Sequence, residues 1–475
     1  MVIMLSKSSD AFEANVTSAA TPLVRLATPA EAFFEANPDI EVLEAFVVDV
    51  NGVPRGKWIP RERALEVLAK GMAMPRSVFA LDIWGRDVNA AGLAEGTGDP
   101  DGICMPVAGT LSRVNWLNRP TAQVMLDMRN VDGSDFYGNP RSILANVLAK
   151  YADLRLTPVA ATELEFYLID PLRSALDPVR PPKSREGRWH TGQTQVLSIS
   201  ELEDNEDVFA DIARACRAQG VPADTALREN GPGQYEINLH HVADALKAAD
   251  YAVLLKRIVK SVARKHDLDA TFMAKPYGLQ AGSGMHVHFS ILDERGDNIF
   301  AAEDGLSDKL MHSVGGLISY MPDSMAVFAP HANSYRRLRP SEHAPTYASW
   351  GIDNRSAAVR VIKAGKAATR IEHRVAGADT NPYLVLAMIL SAALAGMKER
   401  IDPGSAIDGD DHGVGHDPLP TNWDVALSRF SKSGFALGTF GAPYRALYKA
   451  CKEQELSEFS HRVTDVEYDA YIRTV

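Results

Sequence analysis

The residues of this chain best suited to chemistry are histidines and glutamates set at strand spacing. In Gly282-Ser283-Gly284-Met285-His286-Val287-His288-Phe289-Ser290, two imidazoles stand two residues apart behind a glycine-rich turn. Residues i and i+2 of a strand share a face, so His286 and His288 enter one cavity together. A His-x-His pair also arises by chance on surface strands, and its company decides between the two. In Ala161-Thr162-Glu163-Leu164-Glu165-Phe166-Tyr167-Leu168, Glu163 and Glu165 alternate with apolar residues that pack on the other face. Carboxylates that close repel, and a divalent cation between them relieves the repulsion. Taken alone, the segment reads equally well as a solvent-facing strand with two harmless glutamates.

Glu229 and Glu236 bracket a Gly-Pro-Gly turn in Glu229-Asn230-Gly231-Pro232-Gly233-Gln234-Tyr235-Glu236. Two acids so linked can converge on one ion, or the turn can be a polar surface loop. In Arg370-Ile371-Glu372-His373-Arg374, alternation puts Arg370, Glu372 and Arg374 on one face. That is either a surface salt-bridge ladder or a site holding metal, phosphate and carboxylate together. Arg336, Arg337, Arg355 and Arg360 add guanidiniums able to fork onto phosphates or carboxylates. Five acids, two histidines and several arginines in short strands and turns point to a divalent-metal phosphate enzyme.

The elements that position these residues can be sketched. The run Ile40 to Val50 is β-branched and apolar, and Asn51-Gly52 is a hairpin signal leading into Val53 to Lys57. A helix is expected over about Pro60 to Lys70, a loop from Gly85 to Gly102, and a strand near Val124 to Met128. Turn formers from Val131 to Pro140 mark a domain boundary. Beyond it, helices are expected over Arg141 to Leu154, Asn205 to Gln219 and Val242 to His266, and strands over Val159 to Ile169 and Ala270 to Ala274. The mixed order indicates an α+β fold.

Bulk properties narrow the function. With 475 residues, 46% hydrophobic and 23% charged, the chain is an ordinary globular sequence long enough for two domains. A formal charge of -11 argues against a phosphate-tracking nucleic-acid surface. Cys104, Cys216 and Cys451 are dispersed, which implies no disulfide framework and fits a reducing cytoplasm. Met1 to Ala20 lacks an apolar stretch of signal length and reads as a mobile leader. Tyr383 to Met397 reads as a buried core helix too short to span a bilayer, so no membrane role is expected.

In order, the segments ATELEFYL, ENGPGQYEINL, KPYGLQAGSGMHVHFS, NSYRRLRP, DNRSAAVR and RIEHRVAGADTNPYL resemble the signature series of the glutamine synthetase family. The resemblance runs from about residue 40 to the C-terminus. With residues 1–35 taken as the mobile leader, it implies a small N-terminal β-grasp domain over 36–135 and a large catalytic α/β domain over 136–475. It implies two or three magnesium or manganese ions, with Glu165, Glu229 and Glu236 holding one and Glu163, His286 and Glu372 a second. His288, Ser290, Arg355, Arg360 and Arg370 fall at ATP-contacting positions, and Gly282, Arg337 and Arg374 at positions that hold L-glutamate or the acyl phosphate. Arg337 and Arg355 would act in catalysis. The family also implies a homo-oligomer, a dodecamer of two stacked hexameric rings with active sites between subunits.

The sequence departs from ammonia-using members at the nucleophile site. His343 stands where they carry a glutamate before Ala-Pro, with Glu342 one residue off. The segment Met74 to Asp82 lacks their Asp-Gly-Ser-Ser run, and Asp82 replaces it only under a shifted alignment. A larger amine is therefore expected, with His343 as proton acceptor. Ala348 to Arg355 and His373 to Asp379 resemble the γ-glutamylpolyamine synthetase branch, which includes enzymes for simple amines. No Asn-Leu-Tyr-Asp-Leu-Pro segment, the site of regulatory adenylylation, follows Met397. The alternatives are an ordinary glutamine synthetase and an inactive family member with a structural role.

Overall fold

The computed structural model describes residues 28–171, 179–188, 195–303, 305–339, 344–410, 413 and 415–475. Residues up to Pro38 form one unit and Asp39–Val475 another. In the first, residues within the expected leader form a helix, Pro29–Ala36. Its start is fixed by a capping box in which Thr28 and Glu31 satisfy each other's backbone N–H. Residues 1–27 lie outside the described residues.

The second unit contains two large sheets. The first holds β1 (Val42–Val48), β2 (Pro54–Pro60), β3 (Met72–Pro75), β4 (Asp101–Pro106), β5 (Ser112–Val114) and β6 (Thr121–Arg129), in the order β2-β1-β6-β4-β3 with β5 also on β6. The Asn51-Gly52 hairpin forms as expected. Gly52 takes φ +76°, and the buried Asp49 carboxylate accepts from the N–H groups of Asn51 and Val53. The expected loop from Gly85 to Gly102 is interrupted by a single turn at Asn89–Ala91, and its last two residues, Asp101 and Gly102, already belong to β4.

The second sheet carries β7 (Thr157–Ile169), β8 (Ala223–Arg228), β9 (Gln234–Leu239), β10 (Asp269–Thr271) and β11 (Met285–Leu292). A separate pair, β12 (Ala301–Ala302) and β13 (Gly305–Leu306), comes next, and β14 (Trp350–Ile352), β15 (Val359–Ile362) and β16 (Arg370–His373) complete the second sheet. Its order is β14-β15-β16-β11-β7-β9-β8, with β10 on β7. β10 is shorter than the strand expected over Ala270 to Ala274. It pairs only with Tyr167 to Ile169, and the Thr271 hydroxyl then accepts from the Met273 N–H and turns the chain away.

Helices cover this sheet. Ala245–Lys265 packs on β7 and starts three residues later than the apolar pattern suggests, because Asp244 caps it by accepting from the Lys247 N–H. Pro382–Glu399 packs against Asp308–Phe328 and Pro140–Ala152. At 18 residues it outruns the expected Tyr383 to Met397 stretch and is long and apolar enough to cross a bilayer, which corrects the expectation that it is too short. Most of its apolar residues are buried inside the protein, as a core helix requires.

Candidate active site

Strand register assembles the site. β7 and β11 pair antiparallel with Glu163 opposite His286, and β7 and β9 pair with Glu165 opposite Glu236. β11 and β16 set His288 opposite Glu372, and β15 and β16 set Arg360 opposite the same glutamate. Paired residues share a face, so these four registers place four acids, two imidazoles and a guanidinium on one surface. The apolar partners turn inward: Leu164 and Phe166 are buried, as the alternation predicts.

Over this surface lies a cavity of about 1140 Å³, large enough for a nucleotide together with a second substrate. Glu163, Glu165, Glu229, Glu236, His286, His288 and Glu372 line it, as do Gly282, Arg337, Arg355, Arg360, Arg370 and Arg374. Ser290, on the same strand face as the histidines, is half-buried and outside the lining. His343, like Glu342, lies outside the described residues.

Both imidazoles reach the same two acids. His286 Nδ1 lies 3.2 Å from Glu163 and 3.8 Å from Glu372, and His288 Nε2 lies 3.0 Å from Glu163 and 3.9 Å from Glu372. Burial alone would raise the Glu163 carboxyl, but the imidazoles hold it well below the usual carboxylate range. Glu372 is 1% exposed. Burial would raise it too, but Arg374, with the two histidines, brings it down, and Arg360 donates to its other oxygen at 3.0 Å. The ladder of Arg370, Glu372 and Arg374 is thus part of the cavity wall. Glu229 and Glu236 move the opposite way: burial and then the Glu165 charge push Glu229 up to about 7, and burial with four neighbouring carboxylates pushes Glu236 up.

The donors fit a hard divalent cation. Two groups, Glu163 with His288 and Glu372, and Glu163 with Glu236 and His286, bring their ligand atoms within 4.8 Å of one another. His288 Nε2 is buried 3.0 Å from Glu163 without an aligned hydrogen bond, and its Nδ1 accepts from Arg370 at 3.1 Å, which ties the imidazole to both the acids and the arginines.

The glycine-rich approach is close-packed. A Cβ on Gly282 would sit 2.6 Å from Arg337 Cγ and 2.7 Å from the Ala274 carbonyl, so only glycine fits. Arg337 is buried there, donating to the carbonyls of Val375 at 2.8 Å and Arg374 at 3.3 Å. Gly284 N–H donates to Glu165 at 2.7 Å and fixes that carboxylate.

Asp82 is committed elsewhere. It is fully buried, paired with Arg86 at 2.8 Å, and accepts from Gln454 at 2.9 Å and from two backbone N–H groups. It has no capacity left to serve an ammonium. Several lining residues escaped the sequence reading. Asp410 and Tyr347 come from irregular segments with no local signal, whereas Leu227, two residues before Glu229 on a strand, was readable from alternation.

A family model for the catalytic domain of glutamine synthetase matches residues 137–471. A gamma-glutamylputrescine synthetase of Escherichia coli (strain K12), PuuA, is 39% identical over 438 residues, 92% of this chain and 93% of the relative. A glutamate–isopropylamine ligase of Pseudomonas sp is 32% identical over 444 residues, 91% of this chain and 95% of the relative. The solved structure of a GmaS/ADP complex aligns with a TM-score of 0.80 at 30% identity, covering 93% of this chain and 99% of that one.

Proposed function

Because this chain belongs to the glutamine synthetase family, we propose that it is an ATP-dependent ligase joining the γ-carboxyl of L-glutamate to an organic amine, polyamine or monoamine. The observation that carries this reading is the convergence of His286 and His288 on Glu163 and Glu372, beside Arg360 and in one cavity. A γ-carboxylate oxygen attacks the γ-phosphorus of ATP, and ADP leaves. The amine nitrogen then attacks the acyl carbon of γ-glutamyl phosphate, phosphate departs, and a base takes the amine proton. Magnesium or manganese, held by Glu165, Glu229 and Glu236 and by Glu163, His286 and Glu372, would neutralise phosphate charge when bound. Arg355, Arg360, Arg370 and His288 take the nucleotide, while Gly282, Arg337 and Arg374 hold glutamate and the acyl phosphate. Arg337 and Arg355 also stabilise charge during transfer. Ser290 contacts ATP on the resemblance alone.

An organic amine is preferred to ammonia for two reasons. Asp82 is fully engaged within its own chain, and the names of two similar relatives specify putrescine and isopropylamine. His343 is the proposed proton acceptor. Residues 36–135 serve as the β-grasp domain and 136–475 as the catalytic domain of a cytoplasmic dodecamer, two stacked hexameric rings with shared sites.

The test is phosphate release from ATP and glutamate across a panel of ammonia and primary amines, with wild type, His343→Ala and His343→Glu. An organic amine should be best in wild type. His343→Ala should lower kcat/KM for it by about a hundredfold, the usual scale of a general base, and His343→Glu should shift preference toward ammonium. Ammonia as best substrate would make this a glutamine synthetase. No release with any amine would make it an inactive member.

A further inference from the structure

Across the cavity face of the second sheet the side-chain chemistry changes in order. Arg355 and Arg360 stand at the β14–β15 end, and the acids and imidazoles lie over β16, β11, β7 and β9. At the β8 edge the wall turns apolar, with Leu227, Val196 and Leu197. Leu227 pairs in register with Glu236 and so shares its face. Val196 and Leu197 are 45% and 64% exposed in a cavity otherwise rich in charge.

The backbone places Leu197 there at a cost. The Ser198 N–H donates to the Gln195 carbonyl at 3.1 Å, closing a turn whose third residue, Leu197, has φ +59°. That position ordinarily selects Gly or Asn, because a Cβ crowds the backbone at positive φ. The Leu197 N–H donates at 2.9 Å to the carbonyl of Arg228, the residue before Glu229. Arg228 is itself buried, its guanidinium held by the Glu201 carboxylate and by the carbonyls of Glu229 and Gln234. A strained turn held this firmly, carrying an exposed leucine on a cavity wall, is the kind of backbone feature that accompanies function.

We infer that Val196, Leu197 and Leu227 form the wall on which the carbon chain of the amine lies, making the enzyme selective for primary alkylamines of several carbons. The inference rests on the ligase reading of the same cavity. The nucleotide belongs at the arginine end and the glutamate carboxyl over the acids. The amine therefore reaches a face of the acyl carbonyl from the β8 end, away from the nucleotide, and its methylenes meet the apolar wall. Ammonia cannot use such a surface, whereas each methylene fitted to an apolar pocket changes kcat/KM by roughly tenfold or more.

The experiment measures kcat and KM for methylamine, n-propylamine, n-butylamine and 1,4-diaminobutane, with glutamate, ATP and magnesium. Wild type should favour n-butylamine over methylamine by at least about tenfold, mainly through KM. Leu197→Gly removes the side chain while suiting the turn, and Leu227→Ala removes a second part of the wall from a regular strand. Each should pull the n-butylamine to methylamine ratio several-fold toward one. A flat wild-type series, or ratios unchanged in both variants, overturns the inference while the ligase reading stands. Absence of phosphate release with every amine overturns both. A preference for 1,4-diaminobutane over n-butylamine, with the same dependence on Leu197, supports the wall and assigns a diamine as substrate.

Discussion

At the scale of single residues, the carboxylate cluster is organised for a cation and is costly without one. Glu236 is 6% exposed and feels the charges of Glu163, Glu165, Glu229 and Glu372. Removing one ligand of a site with few to spare should cost at least about a hundredfold in phosphate release, more than the loss typical of an outer-shell partner. Glu165→Ala and Glu236→Ala test this, and wild-type turnover in either removes that residue from the ligand set. The same cluster predicts a pH dependence. Glu229, pushed up to about 7 from an ordinary 4.5, favours the fold below its unfolded pKa and loses that contribution as pH rises through about 7. Magnesium or manganese offsets the charge that then develops, so the rise in Tm on adding metal to chelator-treated protein should grow from pH 6 to pH 8. Lys256, whose ammonium burial lowers to about 7, lies away from the cluster and titrates with or without metal, so it cancels in this comparison. A metal-induced Tm increment that stays flat or shrinks over that range would falsify the coupling.

At the scale of elements, the β1–β2 hairpin is tied by a buried polar network to the helical segment that runs from a kink at Gly441 to His461. Glu455 accepts from the Asn51 amide at 2.9 Å, from the Ile83 N–H at 2.9 Å and from Lys452 at 3.0 Å. Burial would raise Glu455, but Lys452 and His331 hold it down at about 2. Glu455→Ala leaves the Lys452 ammonium buried and unpaired, which should destabilise the protein by about 3–5 kcal/mol. Denaturant unfolding measures this, and a change under 1 kcal/mol would contradict it. The linkage has the depressed-carboxylate sign: the stabilisation is present above pH 4.5 and is lost as pH falls toward 2. None of this network was readable in the sequence, because Asn51 and Glu455 are joined only by the fold. β7, β11 and β16 were readable, because a period of two fixes which side chains share a face wherever the opposite face is buried. Asp82 shows the limit between these cases. The sequence displays the acid but not that Arg86 and the distant Gln454 occupy it.

At the scale of the whole molecule, the chain carries apolar surface that a lone subunit leaves in water. Trp58 on β2 is 60% exposed, and the helix Asp465–Tyr471 has no buried residue although Val466, Tyr468 and Tyr471 are 76%, 53% and 58% exposed. Exposed apolar side chains at an edge strand and on a helix without a core face are candidates for burial between subunits. A site completed by the neighbouring subunit's N-terminal domain requires a heterologous interface, and such an interface either closes into a ring or runs on as a filament. Closure into two stacked hexamers predicts a light-scattering mass near twelve times 51.7 kDa. A mass of one or two chains under native conditions would exclude it. Because each site would draw on two subunits, specific activity should fall on dilution together with the mass and return on concentration. Activity that persists in an isolated subunit would mean that the cavity in one chain is sufficient, and the ring would then serve stability alone.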